Sequence, residues 1–249
     1  AVIHFNNCFN LSVELLHTVA PHADYATAYA NYNFFTAGAA YERVFAQLRA
    51  AGTASREQLA VWFAETNQVI LDSQGRHPTI GRPVRLADMN PLAGLINGLA
   101  TALVADMQSA TRAGRRDAVV GAIRTAIRDA QQYDTVPDFV LEVPDQLTDL
   151  RHFAARLISQ PGLDAAVIQA ATDLEQALQG VRVYGSVDEP YSKPGTIWNF
   201  RKPPLAINVL LPDPDLQGIW DWRTPYYIDS RRDPGRPSAL IQDIAFLNN

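Results

Sequence analysis

Short apolar runs set off by glycine and proline alternate along this chain with longer stretches of helical period, and few fold classes accept that alternation. Residues 2–5 read as a buried strand. Residues 11–19 read as a helix whose first turn Asn10 or Ser12 can cap. A second strand is expected at 24–32, where Tyr25, Thr27 and Tyr29 alternate with alanines. Helices are expected at 40–50, closed by Gly52, and at 55–71, opened by the Ser-Arg-Glu-Gln pattern of a capping box. Gly75, Pro78, Gly81 and Pro83 mark a loop, with a further strand at 84–89. Helical period returns at 91–113, 115–131, 146–159 and 163–178, and the runs 181–185 and 205–211 read as strands that could pair as one hairpin with a long connection. Strands interleaved with helices of ten or more residues predict an α/β layered fold with a central β-sheet flanked by helices.

With 249 residues and 47% hydrophobic composition, the chain can bury one large core, with a helical subdomain at about 91–180 and C-terminal strands and tail at about 181–249. The net charge of -5 supplies no basic field for phosphates, so nucleic acid is not an expected partner. The apolar stretch 92–104 is broken by Gly94, Asn97, Gly98 and Thr101, so no membrane span is expected. Of the basic residues only Lys193 and Lys202 are lysine, which with abundant alanine suggests a GC-rich bacterial genome. The first residues, Ala-Val-Ile-His-Phe, look like the interior of a strand, and an upstream segment is expected to precede them.

Cys8 is the one cysteine, at a strand-to-helix junction. A helix N-terminus there would favour the thiolate, and backbone N–H groups of the junction could hold an oxyanion. A lone cysteine after an apolar strand also reads as an inert, buried small hydrophobe.

The segment Phe5-Asn6-Asn7-Cys8-Phe9-Asn10-Leu11-Ser12-Val13-Glu14, then Ala23-Asp24-Tyr25 and Gly38-Ala39-Ala40-Tyr41-Glu42, resembles the clostripain family of cysteine peptidases. Farther on, Asp149-Leu-Arg-His-Phe153-Ala and Leu205-Ala-Ile-Asn-Val-Leu-Leu-Pro212 resemble later segments of that family, in the same order. The resemblance implies a caspase-like fold lacking its N-terminal part, and a cysteine endopeptidase using a Cys-His dyad with Cys8 as nucleophile. It also implies peptide or protein substrates and an upstream light chain, released by proteolytic processing, that carries the catalytic His. Some relatives use calcium, for which Asp213, Asp215 and Asp221 are the candidates here; solvation of scattered acids is the alternative. No His/Cys cluster has transition-metal spacing.

None of the five histidines suits the dyad. His4 is separated from Cys8 by four strand residues, roughly 13 Å at ~3.3 Å each. His17 lies far along the following helix, His152 sits in a predicted helix, and His22 and His77 fall in loops. The family carries an acidic residue two positions before the nucleophile, where this chain has Asn6, and a small residue where it has Asn7. An amide cannot neutralise a basic substrate side chain, so Asp24 is a candidate helper, with a structural role as the equal alternative. Asn31 and Tyr32, in Asn31-Tyr-Asn-Phe-Phe35, could line the cleft or pack in the core. Trp198, Trp220 and Trp222 could form a peptide shelf or anchor the Pro-rich tail. The rival readings are an inactive caspase-like binding or scaffolding module, and an unrelated α/β hydrolase or transferase that uses no cysteine.

Overall fold

A β–α–β crossover opens the chain. Val2–His4 forms β1, Val13–Val19 forms α1 and Tyr25–Tyr29 forms β2, and the strands run parallel with Val2 opposite Tyr25 and His4 opposite Thr27. The helix starts two residues later than the sequence suggests because its cap is Ser12, whose hydroxyl accepts the Leu15 N–H at 3.2 Å. The computed structural model describes residues 1–31, 37–74, 80–133, 147–181, 184–185, 189–190, 197–198 and 205–211. The tail from 212 onward, with Asp213, Asp215, Asp221, Trp220 and Trp222, lies outside the described residues, as do Tyr32 and His77.

Two helices follow, α2 (Ala37–Ala51) and α3 (Arg56–Gln74). Gly52, at φ 74°, supplies the left-handed turn after α2. The expected capping box closes reciprocally: the Gln58 N–H reaches Ser55 Oγ at 3.1 Å, and the Ser55 N–H reaches Gln58 Oε1 at 2.9 Å.

The next strand, β3, spans Ile80–Arg85 rather than 84–89, so Gly81 and Pro83 lie within it instead of in a loop. It pairs antiparallel with β2, Tyr29 opposite Gly81 and Tyr25 opposite Arg85. A Cβ on Gly81 would lie 2.9 Å from the Tyr29 ring, so only glycine fits there. The ladder bonds Ala30 N–H to Ile80 C=O and Leu86 N–H to Asp24 C=O put the Thr27–Pro83 pair at a non-hydrogen-bonded position. The missing proline donor therefore points away from β2 and leaves the ladder intact. A 3-10 turn at Leu86–Asp88 occupies the rest of the expected strand.

Four helices and a short strand come next: α4 (Met89–Arg112), α5 (Arg116–Asp129), β4 (Leu147–Asp149), α6 (Leu150–Ile158) and α7 (Ala165–Ala177). Residues 147–149 read from sequence as the first turn of a helix; they form a strand, and the helix starts at Leu150 with Asp149 as its cap. The remaining strands are β5 (Tyr184–Gly185), β6 (Glu189–Pro190), β7 (Ile197–Trp198) and β8 (Asn208–Leu210). The runs near 184 and 208 do not form a hairpin with each other. β5 extends the main sheet, in the order β1-β2-β3-β5, whereas β8 pairs with β4.

Period-two alternation in β2 separates two environments. Tyr25, Thr27 and Tyr29 face α3: Thr27 Oγ1 donates to the Ala60 carbonyl at 2.7 Å, and Tyr29 meets His4, which stacks on Phe63. Ala26, Ala28 and Ala30 face the other way, into a core shared with Leu11, Leu16, Leu92, Ile96 and the apolar sides of α4 to α7. Small side chains on that face leave room for the helices. The α/β mixture expected from the sequence is what the chain adopts.

Candidate active site

Cys8 lies on the turn that leaves the carboxyl end of β1, half-buried. Helix α1 begins only at Val13 and has seven residues, so the thiol is not on the helix N-terminus as the sequence had suggested. Its setting is a tightly bonded turn. The residue that follows, Phe9, has φ 59°, the one positive value among the described residues other than glycine. A bulky side chain avoids that region unless its surroundings hold it there.

Five hydrogen bonds supply the hold. The Phe9 N–H donates to the Asn31 carbonyl at 3.1 Å, and the Leu11 N–H donates to the Tyr29 carbonyl at 2.9 Å. Asn10, 3% exposed, ties the turn together: its Nδ2 donates to the Asn7 carbonyl and, at 2.8 Å, to Asn7 Oδ1, while its Oδ1 accepts the Tyr29 N–H at 2.8 Å. Sequence reading considered Asn10 only as a helix cap. Its position in a buried stretch between Phe9 and Leu11 was the available signal, since a buried amide must find partners.

The remaining candidate residues fall in different places. Asn6 is half-buried and Asn7 exposed, both on the Cys8 turn. Asn31 is fully buried at the end of β2; its Oδ1 accepts the Ile80 N–H at 2.9 Å and its carbonyl holds Phe9, so it joins β2, β3 and the Cys8 turn. Asp24 stands at the opposite end of the sheet, beside Ala1, where it pairs with the terminal amine and with Arg56 at 2.9 Å. From Asp24 to Asn31 the chain climbs seven residues, roughly 20 Å of strand, which separates this carboxylate from Cys8.

The described histidines are engaged or distant. His4 Nδ1 and Nε2 lie 3.0 Å from the Tyr41 and Tyr29 hydroxyls, the ring stacks on Phe63 at 4.1 Å, and burial lowers its pKa to about 4. His152 is buried in α6, where Nδ1 accepts the Gln131 N–H at 3.0 Å; burial and then Arg156 lower its pKa to about 4. His17 is in the last turn of α1, and exposed His22 follows it near the Asp24 end of the sheet. A cavity of about 490 Å³ also lies away from Cys8, bordered by Tyr25, Glu57, Arg82, Arg85 and Asp88.

Solved structures supply the comparison. The chain aligns over 84% of its length with 77% of a clostripain from Bacteroides thetaiotaomicron ATCC 29148 in complex with a peptide inhibitor, at TM-score 0.53 and 10% identity. It aligns over 100% of its length with 88% of a cysteine protease from B. fragilis, at TM-score 0.56 and 12% identity. A secreted C11 cysteine protease from B. thetaiotaomicron, in complex with an irreversible peptide inhibitor, matches 97% of the chain at TM-score 0.57 and 14% identity; the chain spans 59% of that protein. The chain shares the fold of clostripain-type cysteine proteases. No family model and no curated protein matches the sequence. At these identities the likeness concerns the fold. Within that fold, Cys8 stands on a strained turn at the carboxyl end of β1.

Proposed function

We propose that the chain is the nucleophile-bearing part of a cysteine endopeptidase, with Cys8 as nucleophile and the general base a histidine on an upstream segment. The observation that carries the reading is Cys8 on its strained, hydrogen-bonded turn, in a fold shared with cysteine proteases. The upstream segment is supported by β1, which among the described residues has β2 as its one neighbour and so offers an edge to a further strand.

The thiolate would attack the scissile carbonyl carbon, sending the C=O electron pair to oxygen. Collapse of the intermediate would expel the amine, which takes its proton from the imidazolium, and water would then hydrolyse the thioester. The oxyanion donor would be a backbone N–H near the end of β1 other than that of Phe9, which is taken by Asn31. Asn6 and Asn7, on the same turn as Cys8, would border the substrate. An amide at position 6, with Asp24 far away, gives no carboxylate to pair with a basic side chain, so the preference for Arg or Lys would be weak.

In the protein together with its upstream segment, Cys8→Ala abolishes peptide hydrolysis while the melting temperature changes little. Full activity in that variant sinks the reading. A second reading, a non-catalytic scaffold, is favoured by two histidines engaged in hydrogen bonds, the half-buried His4 and the buried His152. An upstream segment without histidine would decide for it.

A further inference from the structure

Asn208 interrupts the apolar run Leu205–Leu211 and is fully buried. Its backbone N–H donates to the Leu11 carbonyl at 2.9 Å, and its Nδ2 donates to the Ala30 carbonyl at 3.1 Å. Those two carbonyls belong to the two strands of chain that hold the Cys8 turn, where Phe9 bonds to Asn31 and Leu11 to Tyr29. One residue, nearly 180 positions later in the chain, therefore bridges both sides of the turn.

The bridge is itself braced. The Asp149 carboxylate accepts the Ala206 N–H at 2.9 Å and the Tyr133 hydroxyl at 3.0 Å, while the Leu150 N–H donates to the Ile207 carbonyl at 2.8 Å. On the far side, the Leu210 N–H donates to Glu14 Oε1 at 3.0 Å. Residues 206, 207, 208 and 210 are thus each fixed by a polar bond, and of them Asn208 alone joins Leu11, through its backbone N–H, to Ala30, through its side chain. Its Oδ1 has no hydrogen-bond partner among the described residues, so the bond this side chain makes is the one from Nδ2 to the Ala30 carbonyl.

We infer that Asn208 is a positioning residue: it clamps Leu11 to Ala30 across the base of the Cys8 turn and so fixes where the thiol stands. This rests on the peptidase reading, because positioning matters only if the thiol reacts. Misplacement of a reacting group by about 1 Å costs up to roughly a hundredfold in rate.

The test compares Asn208→Ala with Val209→Ala, a neighbouring core truncation that leaves the clamp in place, in the protein with its upstream segment. Asn208→Ala is expected to lower kcat by roughly tenfold to a hundredfold with KM within about twofold. It is also expected to speed hydrogen exchange at the Phe9 and Leu11 amides, with α4 unchanged. Val209→Ala is expected to lower the melting temperature yet leave kcat and those two amides as they were. If Asn208→Ala loses no more kcat than Val209→Ala, or if the two amides exchange at the wild-type rate, the positioning role is overturned. Absence of Cys8-dependent hydrolysis in the wild type would instead remove the peptidase reading on which the role depends.

Discussion

Replacing His4 with phenylalanine should flatten the acid side of the stability profile. The imidazole sits between the Tyr29 and Tyr41 hydroxyls and flat against Phe63, and burial lowers its pKa from the ordinary 6.5 to about 4. An unfolded chain protonates the ring near 6.5, whereas the native chain resists until about 4. The native state therefore enjoys a contribution that is complete above 6.5 and is lost as the pH falls toward 4. At about 1.4 kcal/mol per pH unit, discounted for the partial exposure of the ring, the loss is about 2–3 kcal/mol. His4→Phe keeps the stack on Phe63 but leaves two tyrosine hydroxyls without their ring-nitrogen partners, so the variant should be less stable at pH 7 by about 1–3 kcal/mol. Between pH 7 and pH 4 that deficit should shrink or reverse, because the variant has no ring to protonate. Urea unfolding followed by tryptophan fluorescence at pH 7, 5.5 and 4 measures both curves. Parallel curves, with a constant deficit, would refute the claim that this histidine is held neutral by burial.

Two further outcomes follow from the packing. Asp149, held at about 6 by burial against an ordinary 3.8, contributes stability below 3.8 that is lost as the pH rises through 6. Asp149→Asn should therefore fare better relative to wild type at pH 7 than at pH 4, and an equal difference at the two pH values in urea unfolding would contradict this. Gly81→Ala places a methyl 2.9 Å from the Tyr29 ring, whose hydroxyl is bonded to His4, so the variant should lose about 1–3 kcal/mol in thermal unfolding. An unchanged melting temperature would show that the ring yields freely.

What the sequence made legible was mostly local. Ser12, the Ser55–Gln58 box and Gly52 act within one turn of themselves, and the Tyr/Ala alternation of β2 depends only on the pleat. What stayed hidden depends on partners distant in sequence. Gly81 and Pro83 read as loop punctuation because nothing local reveals the Tyr29 ring above one or the non-hydrogen-bonded register of the other. Residues 147–149 pass for a helix start until β8 is seen beside them. At the candidate site, Cys8 was visible as a solitary thiol after a strand, but Asn10, Asn31 and Asn208 look like ordinary polar residues until the chain closes. Asp24 shows the reverse error: 16 positions from Cys8 in sequence, it stands at the other end of the sheet.

The central claim, that the fold makes Cys8 a nucleophile, is tested most directly by the kinetics of its labelling. A peptidyl acyloxymethyl ketone is offered to the protein with its upstream segment, native and unfolded in urea, and adduct formation is followed by intact mass. Cys8 is the one cysteine of these 249 residues, and a Cys8→Ala control assigns the adduct to it. The account predicts that the native protein forms a single adduct at Cys8 many times faster than the unfolded chain. Native labelling no faster than that of the unfolded chain would contradict it.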